Sequence, residues 1–342
     1  MPPSRSIRIA SSLGIAWLLS GGLTGLASPD PATVRGPESC GECHKQEVEA
    51  WKATRHFSTF NDMHRTDAAR QIAEKLGIRR IKSESLCLEC HYTGKVIDGS
   101  AQVITGISCE SCHGGAQGWM DVHNDYGKGF TKETEAADHR DRRRALAAQA
   151  GMLYPADVYA VAQNCFQCHI VKDEKLVNVG GHATGSEEFE LVAYSQGEVR
   201  HNFHASAGKI NAEASPARLR QLFIIGTLLD LEYSLRAVAR ATERAAYAVT
   251  FAKRVKTVQA RLARIEELAP TNEVQQALAA LAGVALKLNN GEELSAAADK
   301  VKAAAQAFAS AHDGSALAGV DPLLPKPGNH RGPTFQPVAT AN

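Results

Sequence analysis

The sequence Cys87-Leu88-Glu89-Cys90-His91 is followed, after a spacer of 17 residues, by Cys109-Glu110-Ser111-Cys112-His113, so one five-residue pattern occurs twice within 27 positions. The pattern also occurs upstream, as Cys40-Gly41-Glu42-Cys43-His44, and downstream, as Cys165-Phe166-Gln167-Cys168-His169. The four copies contain all 8 cysteines of the 342-residue chain. No cysteine is therefore left over for a disulfide.

Cys-x-x-Cys-His is the attachment pattern of c-type haem. The two thiols form thioethers with the haem vinyl groups, and the adjoining histidine binds the iron as its proximal ligand. Two zinc sites of four thiolates, or a set of redox-active disulfides, would also use Cys-x-x-Cys pairs, but neither requires the histidine. With 13 histidines in 342 residues, four such histidines arise by chance with odds on the order of one in half a million.

We therefore predict four covalently bound haem c groups. The predicted attachment residues are Cys40, Cys43, Cys87, Cys90, Cys109, Cys112, Cys165 and Cys168. The predicted proximal ligands are His44, His91, His113 and His169.

The N-terminus has the pattern of a secretory signal. Arg5 and Arg8 supply the positive region, residues 9–19 the apolar stretch, and Gly25-Leu26-Ala27 a cleavage site of small residues. We predict a signal peptide over residues 1–27 and a periplasmic protein, because haem c is attached outside the cytoplasm. An uncleaved membrane anchor is the alternative, since residues 9–27 are almost long enough to span a bilayer.

Charge and hydropathy exclude two classes of partner. Removal of residues 1–27 deletes two arginines and no acids, which changes the net charge from 38 − 37 = +1 to 36 − 37 = −1. Nucleic acid and anionic membrane surfaces both attract concentrated positive charge, so neither is an expected partner. No second apolar span follows, because the stretch over residues 222–229 ends at Asp230.

Histidine is the favoured sixth ligand for these irons. Only Met63, Met120 and Met152 remain after processing. Bis-histidine ligation lacks the potential-raising effect of methionine, so low-potential haems are expected. The histidines outside the motifs are His56, His64, His123, His139, His182, His201, His204, His312 and His330.

Residues 38–204 resemble the tetrahaem cytochrome c-554 family of ammonia-oxidising bacteria. The resemblance rests on four motifs in the same order with similar spacing, on Trp51-Lys52-Ala53-Thr54-Arg55-His56 after the first motif, and on His123 ten residues after the third. Thr105-Gly106-Ile107-Ser108, which leads into the third motif, also matches.

The resemblance implies a mostly helical fold with closely stacked haems, three of them bis-histidine and the second, at His91, five-coordinate. By position, His56 and His123 are implied as distal ligands, and His201 fits best as the third. Which iron each one serves is left open. His64 has no counterpart in the family pattern. If the iron at His91 has a sixth ligand, the alternatives are His64, His182 and His204.

Local signals around the motifs favour helices. Residues 45–64 are compatible with a helix, Thr66-Asp67 with the start of a second helix, and Gly77 with its end. Gly114-Gly115 is predicted to let the backbone lie close to a porphyrin.

The C-terminal region is predicted to be an antiparallel helical bundle. Ser215-Pro216 is a helix start signal, and an apolar stripe from Leu228 to Ala252 continues one long helix up to Pro270. Two further helices are predicted over residues 272–288 and 292–311. The predicted fold class is mainly α, a multihaem cytochrome c domain with little regular sheet followed by this bundle.

The predicted units are a signal peptide (1–27), a linker (28–37), the tetrahaem domain (38–204), the bundle (215–312) and a disordered tail (313–342). The leading functional hypothesis is a periplasmic electron carrier between redox partners. One alternative is an oxidoreductase acting on a small nitrogen or oxygen species at an open iron. Another is the haem subunit of a respiratory complex, with the C-terminal helices as the element for docking or oligomerisation.

Overall fold

The haem motifs lie on short helices that are joined by loops and one hairpin. A computed structural model describes residues 28–185 and 189–337, and the predicted signal peptide lies outside these ranges. The helices of the motif region are α1 (Pro37–Gly41), α2 (Lys45–Lys52), α3 (Arg55–Asp62), α4 (Asp67–Leu76), α5 (Ser85–His91), α6 (Cys109–His113), α7 (Met120–His123), α8 (Ala137–Gln149), α9 (Val158–His169), α10 (Glu174–Asn178) and α11 (Leu191–Ser195). The C-terminal helices are α12 (Pro216–Arg240), α13 (Ala246–Leu268), α14 (Asn272–Ala279) and α15 (Gly291–Ala311). The predicted mainly α fold class is confirmed.

A single hairpin connects the second motif to the third. Strands β1 (Thr93–Ile97) and β2 (Ser100–Thr105) pair antiparallel, with Ile97 opposite Ser100 at the turn. The turn residues Asp98 and Gly99 both have positive φ, 49° and 76°. Such a turn matches the twist of the flanking strands, and Asp-Gly is a favoured sequence for it.

The predicted helix boundaries around the motifs are partly confirmed. The Thr66 side chain caps α4 by accepting from the Ala69 amide, and Gly77 ends the helix with φ 71°. Residues 45–64 do not form one helix. Thr54 begins α3 as a new N-cap, accepting from the Phe57 amide, so the chain turns between Trp51 and His56.

The long helix predicted from Ser215 to Pro270 is two helices in the structure. Ser215 caps α12 as expected, but the chain turns at residues 241–245. At this break, Glu174 of α10 accepts hydrogen bonds from the Thr242 amide at 2.9 Å and the Thr242 hydroxyl at 2.7 Å. Because this contact joins residues 68 positions apart, the local sequence does not indicate it.

One hydrophobic core runs from the fourth motif into the C-terminal helices. Phe166 of α9, Leu228 of α12, Phe251 of α13 and Phe308 of α15 are all members and are at most 1% exposed. Helix α12 lies at its centre, against α9, α13 and α15. The division into two domains at residues 204–215 stays a prediction, and the two regions share this core.

Residues 313–337, which lie within the predicted disordered tail, make contacts with the rest of the chain. Arg220 of α12 binds Asp321 through two hydrogen bonds of 2.6 and 2.8 Å, and Val320 is fully buried. Farther along, the Arg331 amide donates to the Ala193 carbonyl at 2.9 Å. Residues 338–342 lie outside the described ranges.

Candidate functional site

Each motif histidine has its ring opposite the ring of one histidine from outside the motifs. The centroid separations are 6.4 Å for His44 and His123, 6.3 Å for His169 and His56, 6.2 Å for His91 and His182, and 6.2 Å for His113 and His201. The interplanar angles of the same pairs vary from 26° to 89°. The separation is therefore constant while the relative rotation of the rings is not.

A constant centroid separation with a variable angle between the ring planes is the geometry of two imidazoles that bind one metal ion from opposite sides. A metal–imidazole nitrogen bond is about 2 Å long, and a ring centroid lies about 1.1 Å beyond its nitrogen, so two rings on opposite sides of one ion have centroids about 6.2 Å apart. The four pairs match this separation within 0.2 Å. The residues present thus fit four six-coordinate haem irons.

Backbone carbonyls orient several of these rings. The Nδ1 atoms of His113, His182 and His201 lie 3.1, 2.7 and 2.7 Å from the carbonyl oxygens of Leu153, Ala183 and Val199. His123 makes the same contact with the Met120 carbonyl. When Nδ1–H donates to a carbonyl, the lone pair of Nε2 is left to bind a metal.

Burial favours neutral imidazoles at these positions. It lowers the pKa of His91 to about 4, with a smaller contribution from His182, and lowers the pKa of His169 to about 4, with His56 as the next cause. Burial also lowers the pKa values of His56 and His113. A neutral imidazole is the form that ligates iron, so the environment holds these side chains ready to bind.

Contacts between motifs place the four histidine pairs next to one another. The thiols of Cys40 and Cys109 contact each other, which lowers the pKa of the Cys40 thiol through a hydrogen bond. The thiols of Cys90 and Cys168 make the corresponding contact, which lowers the pKa of Cys90. The Asn164 side chain donates to the Cys112 carbonyl at 3.1 Å. The first motif thus adjoins the third, the third adjoins the fourth, and the fourth adjoins the second.

A buried ion pair supports His123. Arg143 of α8 binds the two carboxylate oxygens of Glu135 at 2.7 and 2.6 Å and also donates to the His123 carbonyl. The side chain of Glu135 is 2% exposed. The hydrogen bonds from Arg143 lower the pKa of Glu135 to about 2, so the carboxylate is charged at neutral pH.

Glu110, inside the third motif, fastens the segment that precedes the first motif. Its carboxylate accepts from the amides of Arg35, Gly36 and Ala116, each at 2.8 Å, and the residue is 1% exposed. The predicted linker, residues 28–37, is therefore attached to the third motif through Glu110. Sequence reasoning missed both Glu110 and Glu135, because their partners become neighbours only in the fold.

The structure brings together most of the predicted site residues. His56, His123 and His201 each lie opposite a motif histidine. The family resemblance implied no distal ligand at His91, but the His182 ring lies opposite the His91 ring. His139 hydrogen-bonds to Glu135 and His312 to Glu273. Across the described ranges, no ring contact joins His64, His204 or His330 to a motif histidine.

In residues 28–185 and 189–337, no three or more His, Cys, Asp or Glu side chains gather into a metal-binding cluster. The same part of the chain has no helix that is both long and apolar enough to cross a membrane.

Two comparisons with known proteins identify similar sequences. The family model described as "Cytochrome c554 and c-prime" matches residues 39–114, which contain the first three motifs. Cytochrome c-554 of Nitrosomonas europaea is 24% identical over 147 residues, which cover 41% of this chain and 58% of that protein. The chain thus matches less than two thirds of the length of this relative. No solved structure matches the chain.

Proposed function

We propose that this chain belongs to the cytochrome c-554 family, an assignment that its matches support, and that it is an exported tetrahaem c-type cytochrome that carries electrons between redox partners. The observation that supports the haem count is the set of four histidine pairs with separations of 6.2–6.4 Å. Each pair includes the histidine of one Cys-x-x-Cys-His motif, so each would hold one haem.

Haem, when bound, supplies reversible one-electron chemistry at iron. The protein's contribution is to attach, orient and shield it. In each motif the two cysteines would attach the haem, and the motif histidine and the histidine that faces it would bind the iron. Because the proposed axial ligands are histidines, we expect low reduction potentials.

The contacts between motifs support a continuous path for electrons. Cys40 adjoins Cys109, Asn164 next to Cys165 bonds to Cys112, and Cys168 adjoins Cys90. We propose that the haems held by these motifs would be neighbours in the order of these contacts, first motif, third, fourth and second. Redox partners would then dock near the first and second motifs, at the two ends of the path.

The periplasmic location is part of the proposal and rests on the N-terminal sequence pattern and on the site of haem attachment. Oligomerisation through the C-terminal helices stays a prediction. Much of the apolar stripe that suggested it is buried within the chain, since Leu228, Leu231 and Leu235 are fully buried.

The haem count can be tested by mass spectrometry. We expect the full-length gene, expressed in a host with the haem attachment machinery, to yield a periplasmic protein that retains four haems after acid–acetone extraction, which removes non-covalent haem. The matched control is a Cys165→Ser/Cys168→Ser double variant, which should retain three. A wild-type count below four would contradict the proposal.

A further inference from the structure

We infer that His182 is the sixth ligand of the iron held by His91, so that each of the four irons has two histidine ligands. This inference rests on the proposed function, because it presupposes a haem at Cys87 and Cys90. It departs from the open second iron that the family resemblance implies. It also assigns a role to a histidine that sequence reasoning ranked behind His201.

The ring geometry is the first observation. The His91 and His182 centroids are 6.2 Å apart, the same as for His113 and His201. The Nδ1 atom of His182 lies 2.7 Å from the Ala183 carbonyl, as that of His201 does from the Val199 carbonyl. His182 thus presents Nε2 toward His91 in the same way that another proposed distal ligand presents its ring.

The segment that carries His182 is fastened on both sides. Before it, the His182 and Gly181 amides donate to the Leu176 and Val177 carbonyls at 3.2 and 3.0 Å. After it, the Thr184 carbonyl accepts from the Val171 amide at 3.0 Å, and Gly185 forms a β-bridge with Ile170. The second anchor lies directly after His169, so the fourth motif helps to position the proposed ligand of the second.

Packing fixes the same segment against α4. A Cβ atom at Gly180 would come within 3.1 Å of the Leu76 side chain and 3.3 Å of the Ile72 side chain. At Gly185 it would come within 2.1 Å of the His169 carbonyl oxygen. The segment therefore packs closely at both glycines, against α4 side chains at Gly180 and against the His169 backbone at Gly185.

Closure by His182 decides between the two leading functions. An iron with two imidazoles has no position for a small molecule unless a ligand leaves, so it exchanges electrons without binding a substrate. The second iron would then be an electron-transfer site like the other three. The carrier hypothesis is favoured over an oxidoreductase that acts at an open haem.

Electron paramagnetic resonance of the oxidised holoprotein tests the inference. We expect only low-spin ferric haem in the wild type. His182→Ala should retain four haems by mass, convert one of the four to high-spin, and bind one carbon monoxide per chain after reduction. Added imidazole should restore the low-spin signal. His64→Ala and His204→Ala are the matched controls and should leave the spectrum unchanged.

Three results would overturn the inference. They are a high-spin signal in a wild-type protein with four haems, an unchanged spectrum in His182→Ala, and a new high-spin signal in a control variant. A haem count below four would instead contradict the proposed function. If His182→Ala does not accumulate, His182→Met replaces it, and one reduction potential should rise because a methionine ligand raises it. Unchanged potentials would contradict His182 ligation.

Discussion

His123 depends on side chains that are not ligands. Arg143 donates to its backbone carbonyl and is itself held by the buried carboxylate of Glu135. Support of this kind around a metal ligand typically changes metal affinity by about 10–100-fold when it is removed. The pair Glu135–Arg143 is therefore the residue-scale feature that we expect to control ligation at the first haem.

We predict that Glu135→Gln weakens ligation by His123 on the order of 10-fold or more, because Arg143 loses its charged partner. The measurement is the imidazole or carbon monoxide concentration needed to displace the sixth ligand of one haem. Glu133→Gln, a neighbouring exposed position, is the control and should behave as the wild type.

The pKa of Glu135 gives this prediction a pH dependence. Arg143 lowers that pKa from 4.5 to about 2. The contribution of the ion pair is therefore fully present above pH 4.5 and is lost as the pH falls through about 2. If the difference between the wild type and Glu135→Gln disappeared between pH 6 and 5, this assignment would be contradicted.

Individual residues show which parts of the site could be predicted from the sequence. The motif histidines and cysteines follow from spacing alone, whereas His56, His123 and His201 were implied as distal ligands by the family resemblance. His182 could not be ranked first, since its place depends on the bridge between Ile170 and Gly185. Gly114 and Gly115 were assigned to porphyrin contact, yet a Cβ there would meet the Gly151 carbonyl and the Thr33 hydroxyl at 2.1 and 1.9 Å.

At the scale of elements, α12 supports the fourth motif through α11. Gly226 of α12 lies against Leu191 of α11, where an added Cβ would come within 2.7 Å of the Leu191 Cβ. Tyr194 of α11 and the nearby Phe189 both contact the His169 ring, with centroids 5.4 and 4.3 Å away. Packing of α12 on α11 is thus connected to a proposed haem ligand.

We predict that Gly226→Val separates α12 from α11 and destabilises the protein by about 1–3 kcal/mol, the usual cost of overpacking a core. The fourth haem should be the first to change its spectrum during thermal unfolding. The matched control is Ala260→Val on the exposed face of α13, which should cost about 0.5 kcal/mol through helix propensity. Equal effects of the two variants would contradict the connection.

The starts of these helices were easier to predict from the sequence than the break between α12 and α13, for a physical reason. Caps such as Thr66 and Ser215 act within one helical turn, so the starts of α4 and α12 are readable locally. Just after the end of α12, Thr242 bonds to Glu174, which comes from another part of the chain. Helix starts were therefore predicted better than the break between α12 and α13.

At the scale of the whole molecule, the four ligand pairs cross-link distant parts of the chain. His56 follows the first motif but faces His169 of the fourth, and His123 follows the third motif but faces His44 of the first. Each proposed iron would thus join segments that are far apart in sequence. Folding of the motif region and haem binding are expected to be coupled. The two histidines of each pair are brought together only in the folded state, so binding of iron by both of them stabilises that state.

The most direct test of this account is the iron ligation seen in a crystal structure of the holoprotein. We predict four irons whose axial nitrogens come from His44 with His123, His91 with His182, His113 with His201, and His169 with His56. A different partner for any motif histidine, or an iron at His91 with no protein ligand on its distal side, would contradict the account.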